Sequence, residues 1–263
     1  MDKVTTIIRK EWSEVFKNKI VFFSVLFLPL ILAVLPLGML LFFNQAEGME
    51  SELNDPEILA FAGQMCVGLD MADCTLVYML NIFVMLFMIL PVSIPVTIAA
   101  YSIVGEKATR SLEPLLATPI TTAELLGAKI AAAVLPAIAA TWLAFGVFMA
   151  GAWLLTPPEV FSQFFSAHWL LAIFVVAPLL TLLASCIAVI LSSRVTDPRV
   201  AEQLSAVVIL PIMLLVIGQS VGLILIDRQI MLLLAGIVLV LDVVVLYLAV
   251  RLFQRETILT RWK

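Results

Sequence analysis

Six long apolar stretches dominate the chain, at 20–43, 76–103, 130–155, 169–191, 204–226 and 230–250. Each meets the roughly 20 residues that a helix needs to cross a hydrocarbon core about 30 Å thick, so each is read as a transmembrane helix. A water-soluble fold of 263 residues does not hide a chain that is 63% hydrophobic and 13% charged. The fold class is therefore all-α integral membrane, a single transmembrane domain over 1–263. The pieces between spans are too short for an enzyme core, because folds below about 40 residues usually need staples.

Lysine and arginine set the expected orientation, since basic residues flanking short loops stay in the cytoplasm. Lys3, Arg9, Lys10, Lys17 and Lys19 precede the first span, and Lys107, Arg110 and Lys129 lie between the second and third. Arg194 and Arg199 lie between the fourth and fifth, and Arg251, Arg255, Arg261 and Lys263 form a basic tail at 251–263. Only Arg228 falls on the other side. Both termini are expected in the cytoplasm, with the chain in the cell membrane. The loop after the first span carries Glu47, Glu50, Glu52, Asp55, Glu57, Asp70 and Asp73 without a basic residue, so the net charge of −4 conceals a polarity across the bilayer. The basic residues are dispersed enough to favour anionic headgroups rather than a nucleic-acid groove.

Ahead of the first span, Val4, Ile7, Ile8, Trp12, Val15 and Phe16 fall on one helical face. This predicts an interfacial helix within 1–19 that lies in the headgroup region; a cytoplasmic extension of the first span is the other reading. In the outer loop, Asp55-Pro56 opens a short helix with Ile58, Phe61, Ala62, Met65 and Leu69 on one face, its acidic flanks either drawing cations or simply solvated. Cys66 and Cys74 share that loop, as a bridge in an oxidising milieu or as two unlinked small hydrophobes, while Cys186 sits mid-span. Prolines 29, 36, 91, 95, 136, 178 and 211 each remove a backbone hydrogen bond and predict kinked spans.

Asp242 is the acid placed well inside a span, where ionised burial costs ~2.5–3.5 kcal/mol and calls for a partner, a wet cavity or protonation. It is either a functional group of the transport pathway or one half of a structural hydrogen bond. Asn81, Thr141, Thr181, Ser185 and Gln219 are the other polar candidates for that pathway. His168 beside Trp169 reads as an interfacial anchor, and a single histidine excludes an H-E-x-x-H zinc site. A lone intramembrane aspartate argues against a two-aspartate protease, whose dyad shares a proton. No metal site and no catalytic residue are expected.

The most informative stretch is GEKATRSLEPLLATPITTAELLGAK at 105–129. Glu113-Pro114 starts a short helix holding Leu115 and Leu116, Thr118-Pro119 ends it, and Thr121 to Glu124 reads as a capping box opening the third span. A short crosswise helix joined to two spans converts a push from outside the membrane into a tilt of both.

This stretch resembles the signature segment of ABC-2 type transporter permeases, E-x-x-x-G-T-L-E-x-L-L-x-[TS]-P-[VI]-[ST]-x-x-E-[IL]-x-x-G-K. The matches are Glu106, Leu112, Glu113, Leu115, Leu116, Thr118, Pro119, Ile120, Thr121, Glu124, Leu125 and Lys129; Arg110-Ser111 replaces Gly-Thr, and Gly127 falls one place early. The segment at 195–211 and the basic tail are similar to the family as well. The resemblance implies a six-span permease with both termini inside that dimerises with a second permease copy and docks its cytoplasmic coupling helix into an ATP-binding cassette subunit. On that basis residues 112–118 are the coupling helix, with Glu106 and Arg110 as charged contacts. The sequence has no G-x-x-x-x-G-K-[ST], so ATP and Mg are expected on the partner subunit and no cofactor on this chain. The competing reading is a secondary transporter or channel driven by an ion gradient through Asp242.

Overall fold

In the computed structural model, residues 3–45, 71–108, 120–164, 167–195, 197–221, 223 and 227–252 are described. The expected outer-loop helix, residues 107–119 apart from the end of one span, and the basic tail beyond 252 lie outside them or have undescribed side chains. Helix α1 covers Lys3–Val15 and α2 covers Lys19–Gln45. The second span is α3 (Met71–Leu86) continued through a 3-10 turn at Phe87–Ile89 into α4 (Leu90–Ala108). Then come α5 (Thr122–Leu155), α6 (Pro158–Phe164) and α7 (Ala167–Leu171), the last running through a π segment at Ala172–Val176 into α8 (Ala177–Ser192). Helix α9 (Pro198–Ser205) passes through a 3-10 turn at Ala206–Val208 into α10 (Ile209–Ser220), and α11 covers Arg228–Leu252. Six helical segments are long and apolar enough to cross a membrane, and no strand occurs among the described residues.

The prolines explain the irregularities. A proline has no N–H for the carbonyl four residues back and crowds it. Pro91 acts on Phe87, Pro178 on Phe174 and Pro211 on Val207, and these three residues lie in the two 3-10 turns and the π segment. Two tryptophans then cover carbonyls that prolines leave without a donor. Pro136 strips the usual partner from Ala132, whose oxygen accepts from Trp12 Nε1 at 2.9 Å. In the π register Ile173 would pair with residue 178, a proline, and its oxygen accepts instead from Trp142 Nε1 at 3.1 Å.

The spans start and stop on local signals outside the apolar windows. Thr121 caps α5: its side chain accepts from Glu124 N, and its own N–H donates to the Glu124 carboxylate at 2.8 Å, so the expected capping box is present. The helix therefore begins at Thr122, and Lys129 is helical rather than a loop residue. Asp197 accepts from Arg199 N at 2.8 Å with Pro198 in the first turn, so the fifth span begins near Arg199, and α10 ends at Ser220 rather than at 226.

The second and fourth spans form the centre. The apolar window of Leu76–Glu106 is 72% buried inside the chain, against 17% for that of Arg228–Leu252. Phe87 packs its ring on Phe145 (centroids 6.1 Å apart) and Phe148 (5.4 Å), among Leu90, Ile94, Ile98 and Trp169. Buried alanines of α5, including Ala133, Ala137 and Ala144, allow close approach of neighbouring helices. Around this centre, Phe22, Phe23, Leu233, Val240 and Val243 are exposed, an apolar exterior suited to lipid chains. At the end far from α1, Tyr78 donates to the Ser220 carbonyl at 2.9 Å and joins α3 to α10. Cys74 is disulfide-bonded and Cys186 is a free, buried thiol. Cys66, which the sequence offered either as a bridge partner or as an unlinked residue, lies outside the described residues.

Candidate functional site

Three helices meet at the α1 end of the bundle. On α1 the buried residues are Ile7, Glu11 and Val15, spaced four apart, so Glu11 occupies the middle of the helix's apolar face. That face rests on protein. Ile7 packs with Leu125 and Ala128 of α5, flanked by Val4, Ile8 and Ile120. Opposite it, Ser102 and Glu106 of α4 stand one turn apart, and Lys129 projects from the first turns of α5.

These groups form a continuous chain of charges. Lys129 Nζ lies 2.8 Å from Glu11 Oε1, 2.8 Å from Glu106 Oε2 and 3.0 Å from Ser102 Oγ. Ser102 donates its hydroxyl proton to the other Glu11 oxygen. Lys10 Nζ lies 2.6 Å from Glu106 Oε1 and 3.5 Å from Glu14. Lys129, Glu11 and Glu106 have side chains only 2–3% exposed, whereas Lys10 is 38% exposed. Burial alone works against the charge on Glu11, but the Lys129 ammonium and the Ser102 hydroxyl outweigh it, and the carboxyl is held below its ordinary range. At Lys10 burial is likewise overridden, by Glu106, Glu11 and Glu14, and the ammonium is held above its ordinary value.

The cluster brackets the 109–119 segment. Glu106 is buried near the end of α4 before it, and Lys129 sits two turns into α5 after it. Of the sequence-predicted partner contacts, Glu106 is described, and its carboxylate is engaged with Lys10 and Lys129 of the same chain. Arg110, Leu112, Glu113, Leu115, Leu116, Thr118 and Pro119 lie outside the described residues. Glu11, Ser102 and the pairing role of Lys129 were missed by sequence reasoning. The one available signal was that residue 11 falls four after Ile7 and four before Val15, where a surface helix should be apolar.

The intramembrane polar residues do not converge. Asn81 of α3 accepts from Trp169 Nε1 at 2.8 Å and donates to the Val77 carbonyl at 2.8 Å. Thr141, Thr181 and Ser185 donate to carbonyls one turn back on their own helices, at 2.8, 2.8 and 2.7 Å. Gln219 and Asp242 differ. Both are buried, and Gln219 Oε1 and both Asp242 oxygens have no hydrogen-bond partner among the described residues. Asp242 faces α8 from α11, within electrostatic reach of Cys186. Thr97 of α4 donates to Glu202 of α9, a further polar tie between spans.

Six apolar helices with few and mostly satisfied polar groups, and a charged knot at one end, define a multi-pass membrane protein with no catalytic constellation among the described residues. The chain belongs to the ABC-2 family of transporter proteins, whose model matches residues 5–232. The match includes Glu11, Ser102, Glu106 and Lys129 and stops before Asp242. It is a permease, a membrane component of transport rather than an enzyme, in a family that generally works with an ATP-binding subunit. A comparison with curated proteins finds no match.

Proposed function

We propose that this chain is the membrane-spanning permease subunit of an ATP-driven exporter, paired with a second permease copy and coupled to a separate ATP-binding cassette subunit. Both termini and the 109–119 segment face the cytoplasm of the cell membrane, as the basic residues favour. The partner subunit binds ATP and Mg, and its closure pushes on the coupling helix at 112–118. The pair then opens its pathway alternately to each side. The observation that carries this reading is the family match over residues 5–232, which includes the whole coupling segment.

The test is to co-purify the chain with its ATP-hydrolysing partner and repeat with Leu115→Asp and Leu116→Asp together. Loss of complex or of lipid-modulated hydrolysis is expected. Unchanged assembly and hydrolysis would overturn the assignment of the coupling helix. The unpartnered Asp242 carboxylate supports a second reading, transport driven by an ion gradient, which predicts flux without nucleotide that Asp242→Asn abolishes.

A further inference from the structure

The two spans that flank the 109–119 segment are tied to each other and to a third element. We infer that α1 is a working part of the coupling apparatus: through Glu11, Lys129, Glu106 and Lys10 it locks the bases of α4 and α5 into one rigid unit, so displacement of the 109–119 segment moves both spans together. This rests on the coupling role assigned to that segment above.

Three independent kinds of contact carry the inference. The ion pairs Glu11–Lys129 and Lys10–Glu106 join groups 118 and 96 residues apart in sequence, and each buried charge meets opposite charges from both other helices or a hydroxyl that bridges them. The apolar cluster of Ile7, Leu125 and Ala128 presses α1 against α5 immediately beyond the loop. Trp12 pins α1 to Ala132, whose carbonyl loses its ordinary helical donor because Pro136 follows four residues later. An anchor that served only the membrane surface would turn its apolar face to lipid. Here that face is filled by protein, and a carboxylate stands at its centre. The geometry is also directional. Helix α5 is 34 residues long, about 50 Å at ~1.5 Å per residue, so a small rotation of the locked base is amplified at the far end.

Loss of the lock removes the Lys129 links from α5 to Glu106 and Ser102 of α4, and a push on the segment then dissipates in splaying their ends. Lys129, Glu11 and Glu106 are then positioning residues, and the prediction concerns relative motion rather than binding.

Spin labels at Gly105 and Gly127, where an added Cβ meets nothing within 4 Å, and at the exposed Ser13 report the three bases in a Cys186→Ala background. Pulsed dipolar spectroscopy on the full chain in lipid nanodiscs then reads the 105–127 and 13–127 distances. A single narrow distribution is expected for each pair, lost on Glu11→Gln or Lys129→Gln. It is expected to return when Lys10→Glu, Glu11→Lys, Glu106→Lys and Lys129→Glu are combined, since that inversion preserves every pair among these four residues and only the exposed Glu14 loses its partner. Distributions in Glu11→Gln and Lys129→Gln as narrow as in the unmutated chain would overturn the lock, and so would a fourfold inversion that stays broad. Because this measurement needs no second subunit, absence of an ATPase partner sinks the exporter reading while leaving the lock standing.

Discussion

Replacing Lys129 by methionine is the sharpest perturbation the structure offers. The ammonium is 2% exposed and neutralises two carboxylates that are themselves 2–3% exposed. Removing it leaves Glu11 and Glu106 buried beside each other without their shared cation, and breaking a buried pair in this way costs about 3–5 kcal/mol. Lys10 touches the same Glu106 but is 38% exposed, so solvent screens it and Lys10→Met costs only about 0–1 kcal/mol. For a chain of this size each kcal/mol moves the midpoint by about 2–4 °C, so Lys129→Met lowers the apparent Tm by roughly 6–20 °C and Lys10→Met by at most roughly 4 °C. The assay is tryptophan fluorescence during heating in detergent. All variants are scanned at one rate, because membrane-protein unfolding is commonly irreversible and the midpoint then depends on scan rate. Adding Glu11→Gln and Glu106→Gln to Lys129→Met should restore most of the loss, since a neutral cluster no longer strands charge. Equal shifts for Lys129→Met and Lys10→Met, or no recovery in the triple variant, would refute the reasoning.

Three further outcomes are expected. The depressed Glu11 carboxyl contributes stability that is fully present above the ordinary value of 4.5 and is lost as pH falls through its lower folded value. The apparent Tm therefore drops on acidification below that range, and Glu11→Gln removes part of the slope; an unchanged slope counts against the pairing with Lys129. Gly151→Ala places a Cβ 2.5 Å from Leu37 Cδ1 and 2.6 Å from Cδ2, so it should cost about 1–3 kcal/mol by overpacking. Gly146→Ala meets nothing within 4 Å and should be neutral, and equal midpoints for the two variants would argue against close packing of α2 on α5. Asp242→Asn should leave the apparent Tm unchanged or raise it, because neither carboxylate oxygen has a hydrogen-bond partner among the described residues; a clear drop would reveal a bond the carboxylate was making.

Much of the fold was readable without coordinates because its causes are local. A span is a matter of some twenty consecutive side chains, so the six apolar runs mark the six membrane-length helices. Thr121 and Glu124 are three apart, and the box they form follows from side chains reaching their own backbone. Pro91, Pro178 and Pro211 act four residues back, which is where the helices change pitch. The windows misplaced the edges of the third and fifth spans, because hydropathy averages over Thr121 and Asp197 while a helix begins where its first N–H groups are capped.

The polar site was a different matter. Glu106 and Lys129 stand out as motif residues, yet nothing within twenty residues of either says that they meet. Lys129 looked like one more basic residue marking the inner side of the membrane, and Glu11 was not among the residues that the helical pattern picked out. Sequence alone determined the six membrane-length apolar helices of the described residues and where they break, since each depends on neighbours along the chain. The tertiary structure alone decided that Glu11, Ser102, Glu106 and Lys129 close on one another. Charge pairing acts through space, and a buried ion is stabilised by whichever helix the packing of the whole bundle brings beside it.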